Sequence, residues 1–272
     1  MSSLDFSPLS TDQPQTWLVL PAAGVGSRMQ ADRPKQYLSM TVKGISKTVI
    51  EHTLDHLLEY SRAENLGFYK VVVVVTQDDP YWQEISQARG YGNDSRILVV
   101  DGGSERCYSV LNALMAIDEL DNVNHSSDKN TDKTWVAVHD VARPCLSYGD
   151  LDNLFSALEN YQDGGILAAP VRDTMKRGAL DLKLVVSELD SLIDHTVERE
   201  QLWHALTPQM FPLKALLNNL QRALKEGFEV TDEASAMEYA GARPKLVNGR
   251  SDNLKITRPE DLKLAEFYLN SF

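Results

Sequence analysis

Residues Leu18–Leu38, LVLPAAGVGSRMQADRPKQYL, carry the pattern from which the fold is read. A short apolar strand, Trp17 to Leu20, runs into a turn of small residues: Ala22, Ala23, Gly24 and Gly26. Pro21 opens that turn, Ser27 follows it, and two cations come next, Arg28 and Lys35. Small residues let successive backbone N–H groups close around an anion, and the cations then meet its charge. The layout suits a polyphosphate.

Three other readings compete for this stretch. A Walker phosphate loop needs four residues between its glycines and then Gly-Lys-Ser/Thr, and that pattern is absent. A dinucleotide fingerprint needs a third glycine where Met29 stands, and an acidic residue at the end of the second strand, also missing. An ordinary strand-to-helix turn would account for Gly24-Val25-Gly26 alone. It does not account for Arg28, Pro34 and Lys35.

A chain of 272 residues suffices for one large domain or two small ones, and its hydrophobic fraction and mixed charge suit a soluble globular enzyme. No apolar run approaches the ~18 residues that span a membrane. Residues 1–16 are polar, with neither a basic start nor an apolar stretch, so they are expected to be a flexible tail rather than a secretory signal. Cys107 and Cys145 have no zinc or redox spacing and read as reduced thiols, with the cytoplasm as the default compartment. The net charge of −12 argues against a broad nucleic-acid surface. It leaves room for an anionic small ligand in a cleft lined locally by cations.

Strand-like and helical runs alternate along the chain. Lys70 to Val75 has no polar alternation, as in a strand buried on both faces. Ile97 to Val100, Trp135 to His139 and Ile166 to Ala169 read similarly. Ile50, Leu54, Leu57 and Leu58, and then Val110, Leu114 and Ile117, recur at helical spacing. The alternation predicts an α/β fold with a largely parallel sheet and helices on both faces, whose ligands bind beyond the carboxyl ends of the strands. Residues 121–134 read as a solvated insertion, and 171–201 break the alternation as an excursion or arm with a β-prone piece at Leu184 to Val186. Helical character returns at Leu213 to Leu224. The last helix is expected to begin near Pro259, with Thr257 and Glu260 as its capping box.

Two further segments follow predicted strands. In Asp101-Gly102-Gly103-Ser104-Glu105-Arg106 the paired glycines allow close approach to a flat ring or ribose, with Ser109 as a hydrogen-bonding partner. Read alone, a Gly-rich turn with Ser104 as helix cap explains it equally well. In His139-Asp140-Val141-Ala142-Arg143-Pro144, Asp140 is placed to hold Mg2+ and Arg143 to grip a phosphate. Read alone, a local Asp–Arg ion pair is the simpler account. His139 reads as a packed structural residue, and His195 and His204 have no zinc-like spacing. Thr174, Lys176, Arg177, Arg199 and Lys255, each taken singly, read as solvated polar groups.

Taken together, these segments resemble the 2-C-methyl-D-erythritol 4-phosphate cytidylyltransferase family over about residues 16–270. The resemblance is carried by PAAGVGSRMQADRPKQYL, DGGSERCYSVLNAL, VHDVARPCL, GGILAAPVRDTMKR, LWHALTPQMF, TDEASAMEYAG and NLKITRPEDLKLAEFYL, in that order. It implies a Rossmann-like nucleotidyltransferase domain over 17–272 with a mostly parallel twisted sheet and a protruding β-arm at about 171–201 that embraces a second subunit as a homodimer. It implies transfer of CMP from CTP to 2-C-methyl-D-erythritol 4-phosphate, with pyrophosphate released, in isoprenoid-precursor synthesis. By the same likeness Arg28 and Lys35 are catalytic, with Arg199 and Lys255. Pro21, Ala22, Ala23, Gly24, Gly26, Ser27, Gly103 and Ser109 bind the nucleotide, and Asp140 positions Mg2+. Arg143, Thr174, Arg199 and Lys255 contact the acceptor, some across the dimer interface. The chain departs from the family pattern at Val141, usually Ala, in the longer 121–134 insertion, and in extra arm residues around Leu180 to Ile193. Rival readings are a cytidylyltransferase for another polyol phosphate such as ribitol 5-phosphate, distinguished around RDTMKR and LWHALTPQ, and a non-catalytic nucleotide sensor, which would not need Arg28, Lys35 and Asp140.

Overall fold

Five consecutive valines, Val71–Val75, form a strand with no exposed face, and the rest of the domain is arranged around it. The computed structural model describes residues 15–24, 33–63, 67–124, 134–179 and 192–271. In chain order the strands are β1 (Thr16–Pro21), β2 (Ser39–Val42), β3 (Ile45–Thr48), β4 (Val71–Val75), β5 (Ile97–Asp101), β6 (Trp135–Val138), β7 (Gly165–Pro170), β8 (Met175–Gly178), β9 (Ile193–Val197), β10 (Trp203–Pro212) and β11 (Lys245–Asn248). The helices are α1 (Val49–Ala63), α2 (Pro80–Arg89), α3 (Arg106–Asn124), α4 (Tyr148–Leu158), α5 (Leu213–Lys225), α6 (Glu233–Tyr239) and α7 (Pro259–Ser271).

Seven strands form one sheet in the order β11-β7-β10-β6-β1-β4-β5. Neighbours run parallel except at β10, which is antiparallel to both β6 and β7. Period-two alternation sorts its side chains into two cores. Leu18, Leu20, Val71, Val73 and Val75 face α1 and α4 with Leu54, Leu57, Leu151 and Leu154. Trp17, Val19, Val72 and Val74 face α3, α5 and α6 with Leu114, Ile117, Leu216 and Met237. Burial of each such side chain contributes on the order of 1.5–3 kcal/mol. A third cluster ties the periphery down, with Met40 of β2, Val49 of α1, Ile256 and Ala265 of α7 packed around Ala142 and Cys145.

The expected α/β architecture is present, and the five strands read from the sequence are β1, β4, β5, β6 and β7. Three details differ. β1 begins at Thr16, a buried residue assigned to the tail. Residues 121–124, assigned to the insertion, are the last turn of α3, and Thr134 Oγ1 donates to Asp121 Oδ1 at 2.9 Å. The N-terminus of α7 is capped through Asp261 rather than Glu260: the backbone N–H groups of Thr257 and Arg258 both donate to Asp261 Oδ2 at 2.9 Å. The remainder of the insertion and the piece Leu184 to Val186 lie outside the described residues. β10 was legible only as a motif, because its buried half, Leu206 to Pro212, contains Thr, Gln and two prolines.

Across 171–201 the described residues form an exposed two-stranded hairpin, β8 paired antiparallel with β9. Among the described residues no helix is long and apolar enough to cross a membrane.

Candidate active site

A parallel sheet leaves its strand carboxyl ends open where neighbouring connections diverge, and the cleft lies there. The end of β1 is fixed when Ala22 N donates to Val74 O at 2.7 Å, and the end of β5 when Gly102 N donates to Val75 O at 2.7 Å. His139 N donates to Val19 O at 2.9 Å and does the same for β6. These ends bring together Pro21, Ala22, Ala23, Gly24, Gly103, Ser109 and Asp140, all expected from the sequence, with Lys35 and Lys255. They line a cleft of about 290 Å³.

The loop after β1 is shaped by one side chain the sequence reading passed over. Gln36, almost fully buried, donates from Nε2 to the carbonyls of Ala22 (2.6 Å) and Gly24 (3.1 Å). These two contacts fix the start of the loop, Ala22–Gly24, against the 3-10 turn that carries Lys35. On the opposite wall Gly103 is required by space: an added Cβ would collide with the side chain of Tyr108. Ser109 Oγ accepts from Gly103 N (3.0 Å) and donates to Glu105 O (3.1 Å), which fixes that wall to the first turn of α3. Gly103 is thus packed tightly against the helix that follows it.

The floor is a knot of charge. Asp140 is ion-paired with Arg106 (Nε–Oδ1, 3.1 Å) and Lys255 (Nζ–Oδ2, 2.8 Å), and Arg143 Nε stands 3.7 Å from Oδ2. Burial by itself would raise the Asp140 carboxyl, but the cations Arg106, Lys255 and Arg143 outweigh it and hold the group well below the usual carboxylate range. Arg106 also makes a bidentate pair with Glu233, Nη1–Oε1 at 2.7 Å and Nη2–Oε2 at 3.0 Å. Burial pushes the Glu233 carboxyl up, and Arg106 offsets part of that. Gln209 of β10 positions α6 for this contact by accepting from Ala234 N (2.9 Å) and donating to Asp232 Oδ2 (2.8 Å). Arg106 and Glu233 lay inside quoted motifs, but their pairing spans 127 positions of sequence and left no local signal.

His139 braces the turn that carries Asp140. Arg143 O can only accept, so His139 Nε2 donates to it at 3.0 Å. Nδ1 then accepts from Thr207 Oγ1 at 2.9 Å, while Thr207 Oγ1 accepts from Asp140 N at 3.2 Å. Burial pushes the imidazole down to about 4, so it is neutral at pH 7. The structural reading of His139 holds.

Other expected residues fall elsewhere. Arg143 is largely buried beside Asp140, and its Nη1 donates to Asn253 O at 2.7 Å. Thr174 and Arg199 are exposed at the base of the hairpin, and Arg199 Nη1 donates to Arg172 O; neither lines the cleft of its own chain. Gly26, Ser27 and Arg28 lie outside the described residues.

Among the described residues no group of three or more acidic, His or Cys side chains could cage a metal. Asp140 nonetheless offers an ionised, hard oxygen at the cleft floor. Mg2+ takes one or two carboxylates and completes its shell with water and substrate phosphates, so this donor fits it.

A family model described as IspD, 2-C-methyl-D-erythritol 4-phosphate cytidylyltransferase, matches residues 16–271. The 2-C-methyl-D-erythritol 4-phosphate cytidylyltransferase of Pectobacterium atrosepticum is 50% identical over 261 residues, 96% of this chain and 97% of its own. That of Photobacterium profundum is 50% identical over 255 residues, 94% and 96% of the two chains. Among solved structures, a 4-diphosphocytidyl-2C-methyl-D-erythritol synthase aligns with TM-score 0.72 and 31% identity over 94% of this chain and 100% of that one. The 2-C-methyl-D-erythritol 4-phosphate cytidylyltransferase of Francisella tularensis aligns with TM-score 0.69 and 30% identity, covering 93% and 99%.

The buried imidazole has a measurable consequence. His139 binds its proton near 6.5 when unfolded and at about 4 when folded, so between those values the unfolded chain holds more protons. Its contribution to stability is complete above pH 6.5 and is lost as pH falls toward 4, by about 2 kcal/mol at pH 5. Burial also pushes His52 and His56 down, adding to the same slope. Urea unfolding at pH 7 and pH 5 should show a smaller pH dependence in His139→Asn than in the parent; identical slopes would contradict the assignment.

Proposed function

The chain belongs to the 2-C-methyl-D-erythritol 4-phosphate cytidylyltransferase family, and from that premise we propose how its residues carry out the reaction. The enzyme is a nucleotidyltransferase that moves CMP from CTP to 2-C-methyl-D-erythritol 4-phosphate. A phosphate oxygen of the acceptor attacks the α-phosphorus of CTP, a new P–O bond forms, and the bond to the bridging oxygen of the β-phosphate breaks. Pyrophosphate leaves with that electron pair. The acceptor phosphate is already an anionic nucleophile, so no general base is required. The obstacle is the approach of two anions, and it is met by positive charge fixed in advance.

Ala23 and Gly24, with Gly26 and Ser27 beyond them, offer backbone N–H groups to the triphosphate, Pro21 and Ala22 line it alongside, and Gly103 and Ser109 face the cytosine. The Gln36 clamp on Ala22 and Gly24 supports the first assignment. The close packing of Gly103 on α3 supports the second. Lys35, whose Nζ donates to Ile256 O at 3.0 Å, reaches the cleft from the nucleotide side and places its charge on the α-phosphate with Arg28. Lys255 reaches it from the acceptor side, with Arg143 behind it, and holds the incoming phosphate. Asp140 would hold Mg2+, which when bound supplies further neutralisation of phosphate oxygens.

Thr174 and Arg199 contact the acceptor in the cleft of a second subunit. The support is that the hairpin does not line its own cleft and exposes Met175 (37%), Leu192 (52%) and Ile193 (65%), which an arm-mediated homodimer would cover. Use of CTP, an intracellular metabolite, together with reduced cysteines, supports the cytoplasm as the location.

The observation that carries this reading is the convergence of Lys35, Arg106, Asp140 and Lys255 on one cleft at the ends of β1, β5 and β6. A panel of polyol phosphates with CTP, scored by pyrophosphate release, tests it. Turnover is expected with 2-C-methyl-D-erythritol 4-phosphate and not with ribitol 5-phosphate; the opposite preference, or no turnover with any acceptor, would overturn it. In the same assay Lys35→Ala should lose ~10²–10³ in turnover with an unchanged circular-dichroism spectrum. Full activity in that variant would remove Lys35 from the mechanism.

A further inference from the structure

Asn253, Lys255 and Ile256 tie one short segment to several walls of the cleft. Asn253 is fully buried. Its Nδ2 donates to Thr207 O at 2.8 Å, and its own backbone carbonyl accepts from Arg143 Nη1 at 2.7 Å. Two residues on, Lys255 meets Asp140 at 2.8 Å. Ile256 N then donates to Ala142 O at 2.8 Å, while Ile256 O accepts from Lys35 Nζ at 3.0 Å. Residues separated by up to 221 positions in the chain are therefore held in register by one short extended stretch.

That stretch belongs to no helix or strand, so it has no ladder of its own to fix it. Its anchor at one end is Ile256, packed with Ala142, Cys145 and Ala265. Its anchor at the other is the Asn253 amide. Asn253 Oδ1 accepts no hydrogen bond among the described residues, so the side chain is held by its single donor contact to Thr207 O. A buried amide with half its capacity unmet is costly, and Leu or Val would fill the space without that cost. Neither of those could grip the Thr207 carbonyl.

We propose that Asn253 is a positioning residue for the acceptor phosphate: by holding Thr207 O through its side chain and Arg143 through its backbone, it sets where Lys255 and Arg143 present their charge. It does not itself touch substrate. The inference rests on the reading of Lys255 and Arg143 as acceptor-side groups. Losing the Asn253 amide lets the 253–256 stretch shift by a fraction of an ångström, and misplaced charge of that kind weakens binding of the group it faces.

Steady-state kinetics of Asn253→Ala, Asn253→Asp, Lys255→Ala and the double variant Asn253→Ala/Lys255→Ala test this. Both Asn253 variants should raise KM for 2-C-methyl-D-erythritol 4-phosphate by about tenfold or more, with KM for CTP unchanged within about twofold. The double variant should lose less than the product of the two single effects, because part of the Asn253 effect acts through Lys255. Folded Asn253 variants with an unchanged acceptor KM, an equal rise in both KM values, or single effects that multiply in the double variant would each overturn the inference. If Lys255→Ala itself leaves acceptor KM unchanged, the acceptor-side reading fails and takes this inference with it. A measurement on the parent protein covers the case in which both variants unfold. Hydrogen exchange at the Ile256 amide should slow when 2-C-methyl-D-erythritol 4-phosphate and CMP are added, and unchanged exchange would overturn the inference.

Discussion

The carboxylate of Asp140 sits within reach of three cations contributed by three distant parts of the chain: Arg106 at the start of α3, Arg143 after β6, and Lys255 beyond β11. Burial by itself pushes the Asp140 carboxyl toward its protonated form, and cations this close would repel one another without it. Each therefore depends on the others. Glu233 extends the arrangement by holding the far side of Arg106. The cluster carries more positive than negative groups beside the cleft, which suits the phosphate proposed to bind there. Removing one member of a buried ionic cluster leaves its partners uncompensated, which is why the same contacts serve both the fold and the chemistry.

The sheet explains why those parts meet. Parallel pairing of β1 with β4 and β6 places their carboxyl ends side by side, so the loops that follow share one space. The antiparallel strand β10 lies between β6 and β7 in the sheet. It delivers Thr207 to the turn after β6, where its hydroxyl joins Asp140 N to His139. Neutral hydrogen-bonded groups, His139, Thr207 and Gln209, support the charged floor from behind. An overall net charge of −12 is compatible with this because the cations are concentrated where the strands end.

Much of this was legible in the sequence, and for identifiable reasons. Val71–Val75 could only be a doubly covered strand, and the apolar periodicity of α1 and α3 fixed the helices around it. Lys35, Gly103, Ser109, Asp140 and Lys255 were singled out by motif and do converge. What was not legible depends on pairing across long separations. Gln36 is unremarkable until its amide is seen between two loop carbonyls. Arg106 and Glu233 lie in separate motifs, and nothing local in either pairs one with the other. Asp261 rather than Glu260 caps α7 because one carboxylate oxygen reaches both exposed N–H groups, a choice of a single position that a capping pattern does not resolve.

A crystal structure with CTP and magnesium bound bears most directly on the electrostatic trap at the ends of β1, β5 and β6. The triphosphate should lie against the backbone of Pro21–Gly24, with the Lys35 ammonium moved from Ile256 O to within hydrogen-bond distance of a phosphate oxygen. A nucleotide bound away from that loop, or one seated there with Lys35 still on the Ile256 carbonyl, would contradict it.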